Sequence, residues 1–171
     1  MRVLVSTASK HGATMEIGAA IARVLRETGF DVVELSADAV REVDGYDAAI
    51  IGSGVYAGHW LGEAKEVLHA HREEFARMPV WLFSSGPIAD VAKPSDEPVD
   101  AASMLALIGA HGHRVFTGAI DRSRLGFGER AILMAVRAPE GDFRPWLQIE
   151  EWAREIAASL REVRTPVGAS A

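Results

Sequence analysis

The chain has 171 residues, a formal charge of −6 and no cysteine, and 49% of its residues are hydrophobic. This length suits one globular domain, and the apolar fraction is too high for a disordered chain. The missing cysteines exclude a disulfide framework, a thiolate nucleophile, a Cys-ligated zinc site and an iron–sulfur cluster. Any electron transfer would therefore need a bound organic cofactor.

The charge and the apolar pattern also bear on partners and location. No apolar run approaches the ~20 residues needed to span a bilayer, and no signal peptide is visible, so we predict a cytoplasmic protein. The mild acidity disfavours nucleic acid as a partner, because duplex binding normally needs a basic face.

Short apolar runs recur along the chain and do not alternate with polar residues. They lie at residues 3–5, 32–33, 48–51, 80–83 and 115–116. Such runs are typical of parallel strands that are covered on both faces. Between them lie four stripes of helical period, formed by Ile17, Ile21, Val24 and Leu25, by Leu61, Ala64, Leu68 and Phe75, by Ala101, Met104, Leu105 and Ile108, and by Ile149, Trp152, Ala153, Ile156 and Leu160. The alternation predicts a doubly wound α/β sheet of five parallel strands.

The helix ends and two irregular segments complete the predicted organisation. Gly29 and Gly112 fall where helices are expected to stop, and residues 38–43 predict a helix of one or two turns. Residues 121–145 interrupt the repeat as an insertion with a helix near residues 129–137. We expect a single domain over residues 1–162, followed by a flexible tail over 163–171.

In an open parallel sheet, ligands bind beyond the carboxyl ends of the strands. The loop after the first strand, residues 9–14, combines hydroxyls, a glycine and a helix N-terminus. These are the components of a phosphate cradle, because backbone N–H groups and the helix dipole favour an anion. The alternative is an ordinary helix N-cap by Ser9 or Thr14.

Two further glycine-bearing loops follow the third and fourth strands. Residues 53–60 offer close backbone approach at their glycines and stacking faces at Tyr56, His59 and Trp60. Residues 84–87 form the other loop. The alternative for residues 53–60 is a flexible turn whose aromatic side chains pack on the adjacent helix. Together the three loops predict a site for a phosphorylated planar ligand.

The chain resembles the flavodoxin family at these loops. The pattern Ser9-x-x-Gly12-x-Thr14 is similar to the family's phosphate signature, and Gly52-Ser53-x-x-Tyr56-x-Gly58-His59 is similar to its second loop. Within the family, the Tyr-x-Gly-His run, the insertion and the closing segment 152–157 resemble the branch of menaquinone-dependent protoporphyrinogen dehydrogenases. The resemblance implies a flavodoxin-like fold with strand order 2-1-3-4-5 and flavin mononucleotide (FMN) as cofactor.

The resemblance also implies which residues hold the cofactor, with the flavin ring between residues 55–60 and 84–88. Gly54 and Gly58 are the positions where a peptide could turn its carbonyl toward the ring, and His59 is the candidate for a proton-transfer role. No metal site is expected, because the paired histidines at 69 and 71 and at 111 and 113 do not face one another. The expected cofactor-binding residues are Ser9, Lys10, His11, Gly12, Ala13, Thr14, Ser53, Gly54, Val55, Tyr56, Ala57, Gly58, His59, Trp60, Ser84, Ser85, Gly86 and Pro87.

The insertion is the second candidate functional element. Residues 122–137 hold four arginines against one glutamate, a net charge of +3, which leaves −9 on the rest of a chain whose total is −6. This basic strip with apolar neighbours suits an acidic substrate such as a carboxylated porphyrinogen, a quinone, or the anionic inner face of a membrane. The alternative is that it covers a sheet edge or forms a homodimer contact.

Three functions stay open at this point. The first is an FMN-dependent dehydrogenase that passes electrons from a porphyrinogen-like substrate to a quinone. The second is a single-electron carrier that docks on a redox partner protein, and the third is a flavin-free interaction module of the same fold. A phosphorylation receiver is nearly excluded, because Ser6-Thr7 and Gly52-Ser53 stand where its acidic residues are needed.

Overall fold

The computed structural model describes residues 1–86, 98–121, 123, 126–128 and 140–164. Its central sheet contains the parallel strands β1 (Arg2–Ala8), β2 (Asp31–Ser36), β3 (Ala48–Tyr56), β5 (Val80–Ser85) and β6 (Gly112–Phe116) in the order β2-β1-β3-β5-β6. The short strand β4 (His59–Trp60) pairs antiparallel with the end of β3. A separate hairpin pairs β7 (Ala119–Ile120) with β8 (Gly141–Asp142). The order of the five parallel strands confirms the predicted doubly wound fold.

Helices cover both faces of this sheet. They are α1 (Ala13–Glu27), a 3-10 turn (Ala37–Ala39), α2 (Gly62–Ala70), α3 (Arg72–Phe75), α4 (Ala101–Ile108) and α5 (Trp146–Arg164). Helices α1 and α5 pack together on one face, whereas α2 and α4 lie on the other. Because successive side chains of a strand point to opposite faces, β1, β3 and β5 each contribute to two separate hydrophobic clusters.

The cluster under α1 and α5 is built from aromatic and branched side chains. Phe83 and Phe116 of the sheet meet Trp152 of α5, with ring centroids between 5.6 and 6.2 Å apart and the rings tilted or edge to face. Gly52 makes room for this cluster, since a Cβ atom there would lie 2.1 Å from the Phe83 ring. The run at residues 80–83, expected from sequence as a strand covered on both sides, is fully buried.

Some helix ends differ from the sequence-based expectation. The prediction that Gly112 stops a helix is wrong, because α4 ends three residues earlier at Gly109, which has a left-handed φ of 62°, and Gly112 begins β6. Residues 38–43 form only the end of a 3-10 turn. Helix α5 continues to Arg164, inside the segment predicted to be a tail.

The segment predicted as an insertion begins and ends at the β7–β8 hairpin, which the sequence analysis did not anticipate. The helix predicted near residues 129–137 and most of the basic strip lie outside the described residues, as does the tail from residue 165 onward. Among the helices that the structure describes, none has the length and apolar character required to cross a membrane.

Candidate functional site

The three predicted loops leave the same edge of the sheet. In the strand register, Ala8 at the end of β1 lies beside Ser53 of β3, and Ser53 lies beside Ser84 of β5. The loop after β1, the end of β3 with its turn, and the start of the loop after β5 therefore adjoin. This edge is where a doubly wound sheet places its ligands.

The first loop brings the chain from β1 into α1 within four residues. Gly12 stands at the N-cap of α1 with φ of 91°, and no side chain caps the helix there. Ser9 Oγ accepts a hydrogen bond of 3.0 Å from the Gly12 N–H. The interpretation of Ser9 or Thr14 as a plain N-cap is therefore wrong, because Gly12 is the N-cap and α1 begins at Ala13 with no side-chain cap bond among the described residues.

The side chain of Thr14 connects the first loop to β3. It is 3% exposed, and a Cβ atom on Gly54 would lie 3.2 Å from its Oγ1 atom. Glycine at position 54 thus lets the end of β3 lie directly against the start of α1. A phosphate fits this loop, since the N-terminus of α1, whose dipole favours an anion, follows closely on Ser9 and carries a second hydroxyl at Thr14.

Tyr56 lies over the first loop. Its ring is 6.3 Å from the His11 ring in an edge-on arrangement, and Lys10 Nζ is 5.3 Å from the Tyr56 ring centroid. The tyrosine is 38% exposed. The structure therefore joins the first and second predicted loops through one aromatic side chain flanked by a cation and an imidazole.

The second loop is a tight hairpin. Tyr56 pairs with His59 and Val55 pairs with Trp60, so only Ala57 and Gly58 form the turn. Their φ angles are 50° and 81°, the sign pattern of a type I′ turn. Glycine adopts this conformation freely, but alanine is strained in it by about 1 kcal/mol.

Trp60 is part of the core. Its side chain is 3% exposed and its Nε1–H donates a hydrogen bond of 2.7 Å to Ser84 Oγ, which lies 2.8 Å from His113 Nε2. The expectation of a stacking face at Trp60 is wrong for this reason: in the hairpin Tyr56 and His59 share the outer side, and Trp60 points inward. Ser53 also points inward, and its Oγ accepts the Leu61 N–H at 3.0 Å.

Asp100, at the start of α4, holds this hairpin from outside. Its carboxylate accepts the Trp60 N–H at 3.0 Å, lies 3.3 Å from His59 Nδ1 through both oxygens, and is 3.4 Å from Lys65 Nζ. Burial opposes ionisation of this carboxyl, but the Trp60 N–H, His59 and Lys65 outweigh it and lower the pKa of Asp100. Next to it, the Val99 N–H donates to the Gly58 carbonyl at 3.0 Å.

The third loop is described only at its start. Ser84 and Ser85 are buried, and the Gly86 N–H donates to the Phe116 carbonyl at 3.0 Å. A Cβ atom on Gly118 would lie 3.3 Å from the Gly86 Cα, so the chains after β5 and β6 touch backbone to backbone. Pro87, the last predicted cofactor-binding residue, lies outside the described residues.

Arg144 joins the base of the insertion to the first turn of α1. Its side chain is 8% exposed and bonds Glu16 at 2.6 Å, both carboxylate oxygens of Asp142 at 2.8 and 2.9 Å, and the Ala13 carbonyl at 3.3 Å. Hydrogen bonds from Arg144 lower the pKa of Asp142 to about 2, against a smaller opposing effect of burial. The guanidinium also stacks 4.4 Å from the Trp146 ring centroid.

Sequence reasoning missed both Asp100 and Arg144. They are 40 and 131 residues away from the backbone groups that they bind, Trp60 and Ala13. The only local signal was chemical, namely an aspartate just before a helix and an arginine just before the Pro-Trp that opens α5. The structure otherwise brings together the described residues that were expected to bind a cofactor, from residues 9–14, 53–60 and 84–86.

The fold and this edge define the class of the flavodoxin-like flavoproteins. The chain belongs to the flavodoxin family, because the model of the flavodoxin domain matches residues 4–144.

Individual relatives are more distant. The chain is 24% identical over 172 residues to a protein named protoporphyrinogen IX dehydrogenase [quinone] of Escherichia coli strain K12, covering 92% of this chain and 95% of that protein. Its fold is similar to a flavodoxin from the domain Archaea, with a TM-score of 0.63, 14% identity and coverage of 94% and 99% of the two chains. It is also similar to a point mutant of flavodoxin from Pseudomonas aeruginosa, with a TM-score of 0.64, 15% identity and the same coverage.

Proposed function

We propose that this chain binds FMN at residues 9–14, 53–59 and 84–87 and is a quinone-linked dehydrogenase of protoporphyrinogen IX or a similar reduced substrate. The observation that carries the proposal is the junction of the three loops, where the N-terminus of α1, with no side-chain cap among the described residues, lies beside Tyr56 and the β3–β4 hairpin. The name of the Escherichia coli relative supports the choice of substrate and acceptor. FMN supplies the redox chemistry when it is bound.

The phosphate half of the site uses backbone and hydroxyl donors. In the proposed complex, N–H groups between Lys10 and Thr14, with the Ser9 and Thr14 hydroxyls, hold the phosphate. A hydrogen bond to a charged oxygen contributes about 1.5–3 kcal/mol, so several together give tight binding. The ammonium of Lys10, now over the Tyr56 ring at 5.3 Å, adds a positive charge at the same place.

The ring half of the site uses the hairpin and the third loop. Tyr56 and His59 share the outer side of the hairpin, and both side chains are more than a third exposed. Their rings and the Ala57-Gly58 turn provide one wall for a flat ligand, and the chain from Ser85 onward provides the other. A planar, largely apolar pocket wall with a few polar groups is typical of cofactor sites.

The substrate side of the proposal involves the insertion. Its basic strip, residues 122–137, would attract the carboxylates of a porphyrinogen or the anionic surface of a membrane that holds the quinone. Within this strip Phe127 is 93% exposed, and Leu147 in the first turn of α5 is 77% exposed. A peripheral position at the inner membrane surface follows as part of the same proposal.

The first test is the visible absorption spectrum of the purified protein with and without added FMN. We expect a flavin spectrum and stoichiometric uptake. Thr14→Val, which removes one hydroxyl at nearly constant volume, should raise the dissociation constant of FMN about tenfold, the effect of losing one bond to a charged oxygen. Thr28→Val, the same change at the far end of α1, should leave it unchanged. A colourless protein that takes up no FMN would overturn the proposal.

The second test separates enzyme from carrier. We expect the FMN-loaded protein to oxidise protoporphyrinogen IX anaerobically with a menaquinone analogue as acceptor, at a rate proportional to protein. Flavin reduction by a reductase with no turnover of protoporphyrinogen would instead identify a carrier. Flotation with anionic vesicles at low salt tests the membrane contact, and loss of binding at high salt is expected from screening.

A further inference from the structure

Asp100 occupies the N-cap position of α4 without capping that helix. Aspartate is among the best N-cap residues, yet no side-chain cap bond is present. The carboxylate instead turns to the β3–β4 hairpin, 40 residues earlier in the chain, and accepts the Trp60 N–H. The Asp100 carboxylate thus binds a backbone N–H that is distant in sequence instead of an N–H of its own helix.

The same carboxylate fixes the His59 ring. The Nδ1 atom lies 3.3 Å from each carboxylate oxygen, while the imidazole side chain is 53% exposed. A carboxylate can only accept, so Nδ1 must carry the proton in this contact. The neutral ring then has its unprotonated Nε2 atom on the side away from Asp100.

The hairpin needs such support, because its turn contains strained backbone. Ala57 has a φ of 50°, and within the described residues it is the only non-glycine residue with positive φ. The carbonyl of Gly58 is held by the Val99 N–H. The residue pair 99–100 therefore fastens both the turn and the strand that follows it.

We propose that Asp100 is a positioning residue for the proposed cofactor wall. It holds the Ala57-Gly58 turn through the Trp60 N–H, and it holds His59 in the Nδ1–H tautomer. Lys65 Nζ at 3.4 Å neutralises part of the charge that Asp100 brings under the hairpin. The inference rests on the proposed function only where it assigns this wall to a cofactor. Its two structural consequences, the held Ala57-Gly58 turn and the fixed His59 tautomer, are properties of the protein without ligand.

Two substitutions separate these consequences. Asp100→Asn keeps an oxygen for the Trp60 N–H but offers an amide N–H to His59, so the turn survives and the ring changes to the Nε2–H tautomer. Asp100→Ala removes both contacts. Glu63→Gln is the matched control, because it removes one negative charge from the exposed first turn of the neighbouring helix α2.

The experiment measures amide hydrogen exchange at Trp60 and the ¹⁵N chemical shifts of His59, first in the ligand-free protein. We expect Nδ1–H in the wild type and in Glu63→Gln, Nε2–H in Asp100→Asn, and faster Trp60 exchange by at least tenfold in Asp100→Ala alone. An Nε2–H tautomer in the wild type, or unchanged Trp60 exchange in Asp100→Ala, would overturn the inference.

The affinity for FMN is measured next by fluorescence quenching. We expect its dissociation constant to rise about tenfold in Asp100→Ala and less than threefold in Asp100→Asn. Equal affinity in wild type and Asp100→Ala contradicts the positioning role. Failure of the wild type to bind FMN contradicts the proposed function only, since the exchange and tautomer measurements still decide the role of Asp100.

Discussion

The two faces of the sheet are built differently at the edge where the site lies. Under α1 and α5 the large side chains at this edge are aromatic, where Phe83 and Phe116 meet Trp152, and the buried polar residues are Thr7 and Ser85. Under α2 and α4 the apolar residues give way to buried serines at positions 6, 53 and 84. All three point to the same side of the sheet, because strand side chains alternate.

The two faces therefore have different roles: the aromatic face stabilises the sheet, and the serine face positions the hairpin of the site. The aromatic rings of the first face contribute through burial and packing. On the serine face, Ser53 and Ser84 receive donors from Leu61 and Trp60 and so anchor the hairpin to the sheet. A change on the first face should therefore act on global stability, whereas a change on the second should act on the hairpin.

The largest effect is expected for Phe83→Ala on the aromatic face. The ring is fully buried, so its loss should lower the free energy of unfolding by about 3–5 kcal/mol through lost burial and a residual cavity. Denaturant unfolding followed by circular dichroism measures this. Leu147→Ala, at an exposed position of α5, is the control and should stay within about 0.5 kcal/mol of the wild type. If Phe83→Ala lowered the free energy of unfolding by less than about 1.5 kcal/mol, the stabilising role assigned to the aromatic face would be contradicted.

Two serines on the other face should respond with opposite sign. Ser84→Ala leaves the buried Trp60 Nε1–H without its acceptor and should lower the free energy of unfolding by about 1–3 kcal/mol. Ser6→Ala should be neutral or stabilise by up to about 1 kcal/mol, because Ser6 Oγ is buried and has no hydrogen-bond partner within the described part of the chain. The same denaturation assay compares them. Destabilisation by Ser6→Ala as large as that by Ser84→Ala would contradict the hydrogen-bond assignments.

The ion pair at the base of the insertion predicts a pH dependence. The pKa of Asp142 is lowered to about 2, so its stabilisation is present above its ordinary pKa of 3.8 and is lost as the pH falls from about 4 to 2. Since the Asp142 side chain is 44% exposed, solvent screening reduces the contribution to about 1 kcal/mol. The difference in unfolding free energy between wild type and Asp142→Asn should therefore shrink across this pH window. A constant difference from about pH 6 to about pH 2 would exclude the assigned pair.

The smallest effect is expected in the turn itself. Ala57→Asn should stabilise the protein by about 0.5–1 kcal/mol, because asparagine tolerates positive φ and Asn-Gly is the preferred type I′ pair. The melting temperature measures it. Ala57→Val, a β-branched residue at the same φ, should destabilise, and stabilisation by both variants would show that the turn is not the one described.

The sequence predicted most of the fold because the main signals are local. The buried runs at 48–51 and 80–83 have the length and composition of parallel strands, and α1 carries its stripe from Ile17 to Leu25. The hairpin escaped prediction because Ala57-Gly58 lacks the usual Asn-Gly signal and the glycine-rich end of β3 resembles a loop. Trp60 was expected at the surface, since its partner Ser84 is 24 residues away and only the folded sheet brings them together.

The backbone contact between Gly86 and Gly118 fixes the position at which the third loop begins. No side chain separates the two backbone segments at this point, so their spacing is set by main-chain atoms rather than by a rotamer. Gly118 is thus a position from which this spacing can be changed: a methyl group there would lie 3.3 Å from the Gly86 Cα, so one of the two backbone segments must shift.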